Sequence, residues 1–179
     1  MSGAPRRLGA VSYLNARPLW AAFEEGGPLH GRLELELGLP SVVARRLAED
    51  EVAAALVPVA AAATLGGLSL AGGACIGSRG PVRSVVLVAE RPLHELDTIA
   101  LDLSSRTSAV LARLVLARRG LSPRLVGRAP RQAIEGVADR AGALVIGDPA
   151  LALEGRFAHT LDLAEAWREW TGLPFVFAA

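Results

Sequence analysis

The sequence predicts an α/β fold with mostly parallel sheets. Short apolar or alternating runs recur along the 179 residues, amphipathic stretches of helical period fall between them, and Gly and Pro punctuate the junctions. The run Val82 to Glu90 carries the strongest strand signal. Its Ser84-Val85-Val86-Leu87-Val88 centre is β-branched and apolar, and Pro92 closes it.

In chain order, Arg7 to Val11 reads as a first strand. A polar turn at Ser12 to Arg17 follows, and then an amphipathic segment opening at Pro18, a residue suited to a helix's first turn. Leu33 to Leu39 alternates Leu33, Leu35 and Leu37 with Glu34 and Glu36, the pattern of a half-buried strand. Pro40-Ser41 begins a helix running to about Glu49. Val52 to Val59 is expected to be a buried parallel strand and Ala60 to Leu65 a helical turn before Gly66-Gly67. After Val82 to Glu90 come a strand at Thr98 to Leu101, a helix at Ser105 to Arg119 stopped by Gly120 and a strand near Leu125. A helix near Arg131 to Asp139 and a strand at Ala143 to Ile146 complete the series. The change of rhythm around Pro92 to Asp97 marks the expected lobe boundary, with 1–92 as one lobe and 93–174 as the second.

Composition narrows the chemistry. Hydrophobic residues make up 51% of the chain, enough for a real core, and a net charge of +1 gives no electrostatic case for nucleic acid as a partner. All 19 basic residues are Arg, which excludes a lysine Schiff base, a P-loop lysine and a lysine general base. His30, His94 and His159 lie far apart and Cys75 is the single cysteine, so neither a disulfide framework nor a Cys/His zinc site is expected. Met1 to Arg7 carries two arginines as a secretory n-region would, but Ser12, Asn15, Arg17 and Pro18 break the following stretch. No apolar run is long enough to span a membrane. A cytoplasmic protein without a metal is the expectation.

Three polar clusters interrupt this apolar chain. The one Tyr and the one Asn both fall within Ser12-Tyr13-Leu14-Asn15-Ala16-Arg17-Pro18. Asn15 there is either a ligand contact at the carboxyl end of a strand or a helix N-cap. Gly77-Ser78-Arg79-Gly80-Pro81-Val82-Arg83-Ser84 is a glycine-flanked loop whose N–H groups, hydroxyls and Arg79 suit a carboxylate or phosphate. The alternative is a plain turn feeding a strand. Asp102-Leu103-Ser104-Ser105-Arg106-Thr107-Ser108 packs four hydroxyls and an arginine just ahead of an apolar-striped helix, and a helix N-terminus favours an anion. Helix capping accounts for one or two of those hydroxyls and leaves the excess unexplained.

Lesser features are Ile146-Gly147-Asp148-Pro149 and the C-terminal aromatics. Asp148 is either a ligand contact or an N-cap. Trp167, Trp170 and Phe175 are expected in the core rather than as a stacking platform.

Five segments together resemble the chorismate dehydratase family of the futalosine route to menaquinone. They are Gly9-Ala10-Val11-Ser12-Tyr13-Leu14-Asn15-Ala16-Arg17-Pro18-Leu19, Ser78-Arg79-Gly80-Pro81-Val82-Arg83-Ser84-Val85, Ser104-Ser105-Arg106-Thr107-Ser108, Ile146-Gly147-Asp148 and Trp170-Thr171-Gly172-Leu173-Pro174-Phe175-Val176-Phe177-Ala178. The resemblance runs from about residue 7 to the last, in the family's order. The first segment differs from the Pro- and Cys-containing loop expected of the related 1,4-dihydroxy-6-naphthoate synthase.

The resemblance implies a periplasmic-binding-protein-like (type II) fold of two α/β lobes with the ligand in the cleft between them. It also implies a cytoplasmic enzyme using neither metal nor organic cofactor. The substrate would be a small dicarboxylate, chorismate, with no nucleic acid or membrane partner, and a homodimer is left open. Residue by residue, Asn15 and Ser84 are implied to be the contacts nearest the reacting ring. Ser105, Arg106, Thr107 and Ser108 are implied to be the carboxylate anchor, and Ser12, Ser78, Arg79, Gly80 and Asp148 to be supporting substrate contacts. Family members usually continue beyond the Leu173-Pro174-Phe175-Val176-Phe177-Ala178 strand. Residues 175–179 are therefore expected to be the start of a second crossover strand, with the C-terminal part of the first lobe lacking. The family would also place an acidic residue where this chain has Ala53-Ala54-Ala55. A non-catalytic carboxylate-binding protein of the same fold remains the competing reading.

Overall fold

The computed structural model describes residues 6–179; Met1 to Pro5, where the segment weighed as a signal peptide begins, lie outside the described residues. The chain divides into two compact units, one of residues 1–76 with 177–179 and one of residues 77–176. The break at Ile76 and Gly77 differs from the boundary expected at 92. The reason is strand pairing: the apolar strand Val85–Ala89 is hydrogen-bonded to partners from 141–162, not to the N-terminal strands.

In the first unit, β1 (Arg7–Val11) is followed by a 3₁₀ turn at Leu14–Ala16, α1 (Arg17–Trp20) and a second 3₁₀ turn at Ala21–Phe23. Then come β2 (Glu34–Gly38), α2 (Pro40–Ala48), β3 (Ala54–Ala55) and α3 (Val59–Ala62). The sheet order is β2-β1-β3, all parallel, with Leu8 opposite both Leu35 and Ala54. α2 lies close over β1. A Cβ on Gly9 would sit 3.1 Å from Val43 Cγ1 and 3.2 Å from Ala55 Cβ, so the smallest residue is what lets helix and strand approach. One core cluster joins Val43, Ala44, Val57 and Ala61; a second joins Ala10, Val11, Ala16 and Trp20. Two expectations change. The helix expected to open at Pro18 is two short pieces, α1 and the 3₁₀ turn at Ala21–Phe23, and of Val52 to Val59 only Ala54–Ala55 pairs as a strand. The end of the chain supplies the rest of that edge, as Val57 and Ala179 exchange both backbone hydrogen bonds at 3.0 and 3.1 Å.

In the second unit the chain builds β5 (Val85–Ala89), β6 (Thr98–Asp102), α4 (Arg106–Arg118), β7 (Arg124–Arg128), α5 (Pro130–Glu135), β8 (Ala141–Ile146), α6 (Asp148–Leu151), β9 (His159–Asp162) and α7 (Leu163–Thr171). Before them β4 (Ile76–Ser78) pairs with β10 (Phe175–Ala178), and the unit boundary passes through both strands. The five-stranded sheet has order β7-β6-β8-β5-β9. β7, β6 and β8 are parallel, while β5 runs against both β8 and β9. All five residues of β5 are buried, as expected of a central strand with both faces covered. Val86, Val88, Ala143, Val145 and Leu153 form the core on one side of it.

Candidate functional site

Register decides what meets at the edge of the five-stranded sheet. Val85 lies opposite Ile146 and Val86 opposite Asp162, so the start of β5 is level with the ends of β8 and β9. β6 runs parallel to β8, so its end at Asp102 falls on the same side. Ser84, Gly147-Asp148, Asp162 and Asp102 to Ser108 are thereby brought to one sheet edge from four separate parts of the sequence. In α/β folds the carboxyl ends of parallel strands are where ligands bind.

At the end of β6 the polar groups form a connected, buried set. Asp102 is only 2% exposed, and its Oδ1 accepts from Ser104 N at 2.7 Å and Ser104 Oγ at 2.6 Å. Its Oδ2 is buried without a partner among the described residues, and burial pushes this carboxyl above the ordinary aspartate range against the opposing Ser104 hydrogen bonds. Ser105 is the N-cap of α4. Its Oγ accepts from Ser108 N at 3.2 Å and donates to Ser108 Oγ at 2.8 Å. Thr107 and Ser108 are buried, and Arg106, the first residue of α4, is exposed. The excess of hydroxyls is therefore tied largely into the folding of the turn itself, while the α4 N-terminus and Arg106 retain their anion-binding character.

The loop leading into β5 is held from several sides. Ser78 Oγ donates to Gly80 O and accepts from Gly80 N at 3.0 Å, closing the turn through Arg79, so this hydroxyl serves the loop. Ser84 is half-buried, and its carbonyl accepts from Gly147 N at 2.7 Å. Gly147 has φ 67° and ψ −152°, a conformation open essentially to glycine, and it is the N-cap of α6. Asp148 is thus the first residue of α6, exposed, and not the N-cap weighed from the sequence.

In the first unit, Ser12 and Asn15 follow the end of β1 and are both exposed. Asn15 sits in the middle of the 3₁₀ turn, whose N-cap is Tyr13; the N-cap of α1 is Ala16. The capping explanation for Asn15 is overturned by the backbone. Ser12 N donates to Gly38 O at 3.0 Å, and Trp20 Nε1 donates to Val11 O at 3.0 Å, so the turn is fastened at both ends.

Two features escaped the sequence reading. Asp162 caps α7 with Oδ1, accepting from Ala164 N at 2.9 Å and Glu165 N at 3.1 Å, and its Oδ2 accepts from Val82 N at 2.8 Å and Arg83 N at 2.6 Å. The signal was present as Asp162-Leu163-Ala164-Glu165, which has the spacing of a capping box. The aromatics also differ from expectation. Trp170 is 41% exposed under the Arg118 guanidinium, 5.9 Å from its ring, while Trp167 packs edge-on against Trp170 and Phe175. A groove of about 250 Å³ beside Trp170, lined by Val115, Arg118, Arg119, Ala166 and Glu169, includes none of the expected site residues.

Among the described residues no group of three or more His, Cys, Asp or Glu is placed to hold a metal ion, and no helix is long and apolar enough to cross a membrane.

The structure is similar to that of a protein from Archaeoglobus fulgidus, with a TM-score of 0.71, 18% identity, and coverage of 96% of this chain and 65% of the other. It is also similar to the alkanesulfonate-binding protein of Xanthomonas axonopodis bound to MOPS, with a TM-score of 0.62, 18% identity, and coverage of 100% and 66%. These likenesses show the periplasmic-binding-protein-like fold. The chorismate dehydratase of Thermus thermophilus is 34% identical over a match covering 55% of this chain and 42% of that relative, so the matched region spans less than half the relative's length. A family model described as menaquinone biosynthesis matches residues 6–179, and the chain belongs to that family.

Proposed function

We propose that this chain acts as a chorismate dehydratase, removing water from chorismate to give 3-[(1-carboxyvinyl)oxy]benzoate, in the cytoplasm and on the futalosine route to menaquinone. The observation that carries the reading is the Ser105-Arg106-Thr107-Ser108 turn at the N-terminus of α4, in a chain of the menaquinone biosynthesis family. An exposed guanidinium and a helix N-terminus suit a carboxylate-bearing substrate. The named Thermus relative supports the choice of chorismate.

In this reaction the substrate loses a ring hydroxyl and a neighbouring ring proton. The electron pair of the broken C–H bond becomes ring π density as the C–O pair leaves with oxygen, and the ring becomes aromatic. Aromatisation drives the step, so the protein's work is to hold two carboxylates and to assist one proton transfer. Neither Asn15 nor Ser84, the proposed ring contacts, is a base at neutral pH. The substrate's own enolpyruvyl carboxylate takes the proton, which then joins the departing hydroxide as water. Ser12, Ser78, Arg79, Gly80 and Asp148 are the proposed supporting contacts, with Ser78 acting by shaping its loop.

The test is incubation of the purified protein with chorismate, following substrate loss by absorbance and product by mass. Aromatic product formed faster than in buffer supports the proposal. Saturable binding without turnover by folded protein favours a carboxylate-binding protein of this fold, and neither binding nor turnover removes chorismate as the substrate.

A further inference from the structure

We infer that Asp162 is a positioning residue for Ser84, one carboxylate fastening the loop before β5 to the N-terminus of α7; the inference rests on the proposed role of Ser84. Oδ1 caps α7 through Ala164 N and Glu165 N, and Oδ2 takes Val82 N and Arg83 N. Four N–H donors converge on two oxygens, the full complement a carboxylate accepts in comfortable geometry.

What this arrangement holds is strained. Arg83 has φ 57°, in the left-handed region that an arginine adopts at a cost, and it stands directly before Ser84. A non-glycine residue persists there only when its surroundings over-determine it. The Asp162 hydrogen bond to Arg83 N supplies that constraint from one side. The 2.7 Å bond from Gly147 N to Ser84 O supplies it from the other. With the backbone held on both flanks, the placement of Ser84 follows from Asp162 and Gly147 rather than from the loop's own preference. An aspartate that only capped α7 would need one oxygen; the second oxygen is committed to Val82 and Arg83.

The experiment separates the two oxygens. Asp162→Ser keeps a good N-cap for α7 but is too short to reach Val82 N and Arg83 N. Its melting temperature is expected to stay within a few degrees of the wild type, while kcat for chorismate falls about tenfold or more with KM changed less than threefold, because a displaced contact near the reacting ring weakens the transition state more than binding. Adding Arg83→Gly, which removes the left-handed penalty, is expected to restore part of kcat. Amide hydrogen exchange gives a readout independent of chorismate: Val82 and Arg83 should exchange at least about tenfold faster in Asp162→Ser, with Ala164 and Glu165 still protected. Unchanged exchange at Val82 and Arg83, or unchanged kcat in a variant where they exchange faster, overturns the inference. If the folded wild type does not turn over chorismate, the functional proposal fails, and the exchange data alone decide whether Asp162 holds the loop.

Discussion

Each unit carries a polar turn straight after the carboxyl end of a parallel strand, and the two turns spend their polar groups differently. After β1, Ser12, Asn15 and Arg17 are exposed, and the turn is fastened by groups outside it, Trp20 Nε1 and Gly38 O. After β6, Asp102, Ser104, Ser105, Thr107 and Ser108 are all buried, and several of them satisfy one another. The lesson is that a run of hydroxyls in an apolar sequence first answers the demands of its own backbone, whereas a carboxamide that caps nothing is left for something else. In the first turn Asn15 therefore caps no helix, while the hydroxyls of the second are bound up with the stability of their own turn.

That contrast breaks most visibly at Asn15. Asn15→Ala is expected to lower kcat/KM for chorismate on the order of 100-fold while leaving stability within about 0.5 kcal/mol, since the residue is exposed and caps no helix. Asn15→Asp at near-normal rate would count against neutral hydrogen bonding at this position. Ser105→Ala should do both kinds of damage. Loss of the α4 cap costs about 1 kcal/mol by urea denaturation, and substrate affinity weakens along with it.

The smallest effect is one of pH. Asp102 has a folded-state pKa raised by burial, so its contribution to stability is fully present below the ordinary aspartate value and is lost as pH rises through the raised one. Asp102→Asn should flatten that fall in urea midpoints measured from acid to neutral pH. The exposed Asp97, held below its ordinary value by its hydrogen bonds to Arg140, contributes in the opposite direction, with stability present above its ordinary pKa and lost as pH falls.

Much of this architecture was legible where local signals are strong. β1 spans the expected residues, α4 starts after the expected Ser105 and stops before Gly120, and β5 lies inside the strongest apolar run. β9 was not legible, because a four-residue strand beginning with His159 and Thr160 has no apolar pattern of its own and exists through pairing with β5. The break at Ile76 was missed for the same reason: which strands pair across 60 residues is not a local property. α7 was not legible despite its capping box, because Trp167 and Trp170 within it read equally well as core residues of any element. Trp170 instead lies partly open under Arg118. For the candidate site, the segments were found from residue types, but their meeting at one sheet edge depends on β5 running antiparallel to β8, which the expectation of parallel strands concealed.

The most direct test of the account compares chorismate turnover by the wild-type chain with that of Asn15→Ala/Ser84→Ala at matched folded fraction. The account predicts aromatic product from the wild type and a rate indistinguishable from buffer for the folded double variant. A double variant that keeps the wild-type rate, or a folded wild type that leaves chorismate unchanged, would contradict it.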